Sequence, residues 1–295
     1  MSTPRAKLSV STPVVITMPQ ISAAWEKDAS IEDLAQIAEA ADRLGYHHLT
    51  CSEHVALPAV LEQQHRGTRY WDPLATLGYL AARTQRIRLA TNVLVLAYHH
   101  PLEIAKRYGT LDKVSNGRLI LGVGVGSLKE EFDLLGAPFD DRGPRGDDAL
   151  RALRASLSVS EPAYQGEFYS FGGMVVDPCA VQDRVPIWIG GRTLRSLRRA
   201  ATLADGWAPF NVTLHQAREW LGRFELPAGF EVVLPPPKPL DPINDADRTR
   251  EVLADTAAHG ATIISAWFTH TSAQHYVENL HALAELHSPG VEGSV

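Results

Sequence analysis

The sequence predicts a (β/α)8 barrel carrying insertions. Three observations lead there. Strand-like and helix-like segments alternate along the chain, which is the pattern of a parallel sheet. The β-then-α units number eight in 295 residues, the size of such a barrel. No linker divides the chain, so residues 1–295 read as one domain, with insertions at about 55–70 and 136–185 and a disordered tail at about 288–295. A doubly wound open sheet is the alternative.

The elements follow in order. "PVVITMPQ" (Pro13 to Gln20) reads as the first strand. "SIEDLAQIAEAADRLG" is a helix, with Ser30 as N-cap, Asp33 three residues on, and Gly45 just past its end. "HHLTCSEH" (His47 to His54) is the second strand, and the helix "WDPLATLGYLAART" starts with Asp72 as N-cap and Pro73 in its first turn. "IRLATNVLVL" is the third strand, followed by a helix from His100 that closes at Asn116-Gly117. Arg118 to Val125 is the fourth strand. "PIWIGG" and "GWAPF" bracket the helix "RTLRSLRRAATLAD". "FEVVLP" and "ATIISAWFT" are the last strands, with helices at Asp245 to His259 and Ser272 to His287. "YQGEFYSFGGMVVDP" suggests a small hairpin inside the second insertion, and "PPPKPLDP" a stiff extended connector.

Composition narrows the function classes. With 45% hydrophobic residues the chain can build a sizeable core. A net charge of -6 argues against a nucleic-acid surface. No apolar run approaches the ~20 residues of a membrane span, and "MSTPRAKLSVSTP" lacks the apolar centre of a signal peptide. Cys51 and Cys179 give no disulfide framework, so a cytoplasmic, reducing location is expected. Metal chemistry is not expected: the histidines come as adjacent pairs, and H-E-x-x-H is absent.

In a barrel the chemistry sits at the C-terminal ends of the strands. The second strand ends in Ser52-Glu53-His54. Alternation places His48, Thr50, Ser52 and His54 on one inward face. His54 is either a proton-handling group or a histidine hydrogen-bonded at a loop start. Asn92 interrupts a β-rich run, and a hydrogen-bonded polar residue inside the barrel accounts for it. Gly122, Gly124 and Gly126 alternate at the end of the fourth strand. They admit either close approach to a ligand or crowding inside the barrel. Their G-x-G-x-G spacing departs from the dinucleotide fingerprint. At Gly190 to Thr193, two glycines end a strand and a helix begins at once, which is a phosphate corner. Arg198 and Arg199 read as a solvated outer helix face, and Trp188, Trp207 and Trp267 as core.

"RIRLATNVLVLAYHHPLEIAKRYGTLDKVSNGRLILGVGVGSLKEEFDLLGAPFDDRG" and "VDPCAVQDRVPIWIGGRTLRSLRRAATLADGWAPF" resemble the luciferase-like monooxygenase superfamily, and within it the branch of coenzyme F420-dependent oxidoreductases. The resemblance runs from "VITMPQ" to about Phe210. It implies the luciferase-like TIM barrel. It implies that His54 faces the cofactor ring and assists proton or hydride transfer, with Glu53 as its acidic neighbour. Asn92 and Val93 match a buried non-proline cis peptide against the ring. Gly124, Val125 and Gly126 match residues along the ring and side chain, and Gly190, Gly191, Arg192 and Thr193 match the phosphate corner. Some relatives place a glutamate just after the fourth-strand glycines as proton donor, where this chain has Ser127-Leu128. That departure argues against carrying over a sugar-phosphate dehydrogenase activity. The expected activity is hydride transfer between F420 and a small organic substrate. An FMN-dependent monooxygenase and a cofactor-binding protein without turnover are the alternatives. The resemblance also implies a homodimer.

Overall fold

A computed structural model describes residues 5–19, 21–63 and 67–288. The eight barrel strands and the helices that follow them are, in chain order, β1 (Lys7–Val10), α1 (Ile31–Leu44), β2 (His48–Cys51), α2 (Pro73–Arg83), β3 (Arg88–Thr91), α3 (Pro101–Val114), β4 (Leu119–Gly124), α4 (Arg142–Ser156), β5 (Ile187–Gly191), α5 (Leu194–Leu203), β6 (Gly206–Pro209), α6 (Leu214–Leu221), β7 (Glu231–Leu234), α7 (Ala246–Ala258), β8 (Ile263–Ala266) and α8 (Ala273–His287). The sheet runs β1-β8-β7-β6-β5-β4-β3-β2, with parallel pairing between neighbours. The seam between β1 and β2 is narrow. His47 N–H donates to Leu8 O at 2.7 Å, and Thr50 N–H donates to Thr12 Oγ1 at 2.8 Å. The result is a nearly closed barrel, as expected.

Local chemistry sets the helix starts. Ser30 Oγ accepts Asp33 N–H while Asp33 Oδ2 accepts Ser30 N–H, so two donors of the first turn are satisfied reciprocally. Asp72 Oδ1 accepts Ala75 N–H at 2.8 Å, with Pro73 at the first helical position. Each such cap stabilises its helix by about 1 kcal/mol. Ala90, Ile120, Trp188, Ala208, Val233 and Ile263 plug the barrel interior. A larger apolar layer, including Leu34, Ile37, Leu77, Leu80, Leu153 and Leu280, fills the space between sheet and helices. β4 is buried along its whole length, which is why it reads as an unbroken apolar run.

Three expectations are corrected. The first barrel strand is Lys7–Val10, not Pro13 to Gln20. "KLSV" pairs in register with β8, Lys7 opposite Ile263, whereas Ile16–Thr17 forms a two-residue antiparallel pair with Arg69–Tyr70. The segment 136–185 is not one long insertion, because α4 occupies much of it and packs as the barrel helix after β4. The helix α6 had no counterpart among the expected elements. The small hairpin is present, Tyr164–Gln165 pairing with Ser170–Phe171. The expected tail at 288–295 lies outside the described residues except for Ser288, as do part of the 55–70 segment and Gln20.

Candidate active site

The strand ends open into one cavity of about 1790 Å³. His48, Thr50, Ser52 and His54 all line it, as alternation along β2 requires. His48 is wholly buried at its floor, edge-on to Trp188 at 4.9 Å. Asn92, Val93, Gly124, Val125, Gly126, Gly190, Gly191, Arg192 and Thr193 line the cavity too. The expected site residues are thus brought together.

His54 stands at the rim of β2, its ring edge-on to Tyr70 at 4.5 Å. Its Nδ1 lies 2.8 Å from Glu131 Oε2. Glu131 is fully buried on the short helix Lys129–Leu135. Its other oxygen accepts the N–H groups of Val55 at 2.6 Å and Ala56 at 3.2 Å, and Oε2 also accepts the Tyr98 hydroxyl at 2.8 Å. Burial pushes this carboxyl up. The hydrogen bonds from His54 and Tyr98, the charge of His54 and the Ala56 N–H outweigh burial and hold the pKa below the ordinary value. A carboxylate only accepts, so His54 Nδ1 carries the proton. In the neutral ring the lone pair of Nε2 is then left for a ligand, and in the charged ring Nε2 carries a proton to give. Burial, the Glu131 hydrogen bond and its negative charge also push the Tyr98 hydroxyl well up, so it stays a donor.

Glu131 is not among the site residues expected from the sequence. One signal was present. Glu131 sits beside Phe132 and three residues after Leu128, on the apolar side of a helix whose neighbour Glu130 is exposed.

Glu53 points away from His54. Its Oε2 accepts Val95 N–H at 2.7 Å and its Oε1 contacts His99 Nε2 at 2.6 Å, while its own N–H donates to Val93 O at 3.2 Å. Burial pulls the His99 ring down in pKa, but the hydrogen bond and charge of Glu53 outweigh it and raise it. The carboxylate thus clamps the 93–95 segment. The Asn92–Val93 peptide is cis, as the resemblance implies. Asn92 N–H donates to Cys51 O at 2.8 Å, and Ser52 Oγ donates to Asn92 O.

The glycines answer first to packing. A Cβ on Gly190 would stand 2.4 Å from Val93 Cγ1, and one on Gly124 2.9 Å from Val93 Cγ2. These two positions are bare because Val93 fills the space between them. The floor of the cavity is therefore a valine held between two strands.

One residue beyond Gly190 on the same strand, β5 ends at Gly191 and Thr193 caps α5, its Oγ1 accepting Ser196 N–H. The N–H groups of Leu194 and Arg195, in the first turn, have no acceptor within the helix. Arg192 and Arg195 are exposed at this rim, and Arg142 is fixed over the Phe139 ring at 3.8 Å. Arg199 is corrected. Its side chain is 8% exposed, pairs with Asp147 and lines the cavity, whereas Arg198 is exposed as expected. Trp188 and Trp207 are buried as expected, though Trp188 and Trp267 also face the cavity. Among the described residues no group of three or more His, Cys, Asp or Glu is placed to hold a metal ion. No helix among them is long and apolar enough to cross a membrane.

Comparison with known proteins fits this geometry. The chain is 31% identical over 182 residues to an F420-dependent glucose-6-phosphate dehydrogenase of Nakamurella multipartita, covering 59% of this chain and 51% of that one. It is 30% identical over 231 residues to 4-hydroxyprotoasukamycin monooxygenase of Streptomyces nodosus subsp. asukaensis, covering 77% and 54%. The matches span 66% or less of these curated relatives' own lengths. In fold, the chain resembles the coenzyme F420 dependent tetrahydromethanopterin reductase of Methanopyrus kandleri, with a TM-score of 0.70 at 14% identity over 96% and 98% of the two chains. Residues 10–228 match the family description luciferase-like monooxygenase, and the chain belongs to that family.

Proposed function

We propose that the cavity binds coenzyme F420 and transfers a hydride between it and a small organic substrate. The pair of half-buried His54 and buried Glu131, with His54 lining the same cavity as Val93, carries this reading. The residues present fit the group. The α5 N-terminus, with Arg192 and Thr193, offers free N–H groups and positive charge to its phosphate. Val93, between Gly124 and Gly190, offers an apolar surface to its ring. At about 1790 Å³ the cavity exceeds the roughly 300–1,000 Å³ typical of a single small-molecule site, leaving room for a substrate as well. The deazaflavin, when bound, supplies the hydride chemistry.

The chain's own residues supply the rest. Glu131 fixes the His54 tautomer and orientation, and His54 Nε2 holds or accepts the proton that accompanies hydride movement. Tyr98 and the Val55 and Ala56 amides hold Glu131 ionised. Ser127 and Leu128 stand where some relatives carry a glutamate, so sugar phosphate is not proposed as substrate. An FMN-dependent monooxygenase is the second reading, supported by the monooxygenase relative that matches 77% of this chain.

The test is parallel titration with F420 and FMN, following quenching of tryptophan fluorescence. Micromolar F420 binding with weak FMN binding is the expected result. Preference for FMN moves the assignment to the monooxygenase, and failure of both to bind overturns it.

A further inference from the structure

The wall between the loops after β1 and β8 holds a second histidine with no part in the reading so far. His270 lines the cavity together with Glu26 and Tyr276. Its side chain is only 7% exposed and that of Glu26 only 3%. Trp25 Nε1–H donates to His270 Nδ1 at 2.9 Å, and the Tyr276 ring stands edge-on to the imidazole at 4.9 Å.

An indole N–H only donates. His270 Nδ1 is therefore an acceptor, and in the neutral ring the proton resides on Nε2. Burial, with the charge of His275 adding to it, pushes this ring's pKa down to about 4, so the neutral form prevails at neutral pH. Glu26 Oε1 stands 3.6 Å from Nε2, beyond hydrogen-bond distance. That carboxylate is already engaged by Ala23 N–H at 2.7 Å and Val14 N–H at 2.8 Å. Among the described residues Nε2–H has no acceptor within reach. From the loops after β1 and β8, Ile16, Met18, Ile21 and Phe268 line the cavity together with Ser11 and Ser22.

We infer that His270 Nε2–H is the donor that reads the substrate, taking the carbonyl or hydroxyl oxygen of a neutral, mostly apolar organic molecule. This rests on the cavity being the substrate site proposed above. Two features select the class. The donor has a fixed direction, because Trp25 sets the tautomer. An anionic group is disfavoured, because the Glu26 carboxyl lies beside the same nitrogen.

The experiment uses the full chain labelled with ¹⁵N-histidine, with cyclohexanone as the neutral probe and cyclohexanecarboxylate as the anionic one. The His270 signals are assigned by their loss in His270→Gln. The expected spectrum has Nε2 protonated and Nδ1 bare, and cyclohexanone shifts Nε2 saturably while the carboxylate does not. His270→Phe weakens cyclohexanone binding about tenfold and leaves the F420 and FMN titrations unchanged. Trp25→Phe, which keeps the histidine, mixes the two tautomers and weakens the ketone by a smaller factor. A protonated Nδ1, no saturable shift, equal binding of the carboxylate, or an unchanged ketone affinity in His270→Phe overturns the inference. If neither cofactor binds the wild-type chain, the proposed function fails, while the tautomer and probe results still decide the role of His270.

Discussion

Two histidines, each beside a carboxylate, line one cavity, and they behave differently. His54 and Glu131 stand 2.8 Å apart, and His270 and Glu26 stand 3.6 Å apart. In the first pair the carboxylate takes Nδ1–H, leaving Nε2 free to accept or hold a proton. In the second an indole takes up the Nδ1 lone pair, leaving Nε2–H as a donor. Glu131 is held below its ordinary pKa although it is buried, because His54 and Tyr98 donate to it. Glu26 is raised, because burial outweighs the two backbone N–H groups that reach it. The same residue types thus give a proton handler on one wall and a fixed hydrogen-bond donor on the other. What Nδ1 meets, a carboxylate or an indole N–H, decides which.

The comparison breaks most visibly at His54. His54→Ala should lower turnover about 10²–10⁴-fold while cofactor affinity is retained, because the proton relay is lost and the phosphate corner is untouched. Retained turnover in that variant would remove His54 from the chemistry. Next in size is Glu131→Gln. It leaves a buried amide facing the donors that the carboxylate satisfied, and should cost about 3 kcal/mol of stability. Urea unfolding reads this as a lower midpoint with an unchanged slope. An unchanged midpoint would mean that the pair is dispensable to the loop it anchors.

The smallest effect is in pH, and its sign differs between the pairs. The folded pKa of Glu131 lies below the ordinary 4.5, so the unfolded chain binds more protons between the two values. Its stabilisation is present above that window and is lost as pH falls through it. Glu26 lies above 4.5, so the folded chain binds more protons and stability falls as pH rises through its window. Stability–pH profiles should therefore lose a rising component in Glu131→Gln and a falling one in Glu26→Gln. The same slope change in both variants would sink the distinction.

Legibility in the sequence followed the distance between partners. The barrel was readable because buried parallel strands such as "LILGVG" are continuous apolar runs and the caps at Ser30 and Asp72 are local. The first strand was misplaced because "PVVIT" is more apolar than "KLSV", and only pairing with β8, some 250 residues away in register, selects the latter. In the site, His54 and the Asn92–Val93 corner could be found from one motif each. Glu131 meets His54 across 77 residues and Trp25 meets His270 across 245, so no spacing announces either pair. Glu53 lines the cavity as well. It does sit beside His54, but its carboxylate turns to Val95 and His99.

Val93, between Gly124 and Gly190, has a consequence for how this barrel can diversify. Any side chain at either glycine collides with it, so the floor can change only through coupled replacements at several positions. The loop rim is under no such constraint. Met18, Ile21 and Phe210 line the cavity from loops, and Ile21 and Phe210 are largely exposed. New substrate sizes are therefore reachable by single mutations at the rim, while the floor stays fixed as the scaffold is passed from one activity to the next.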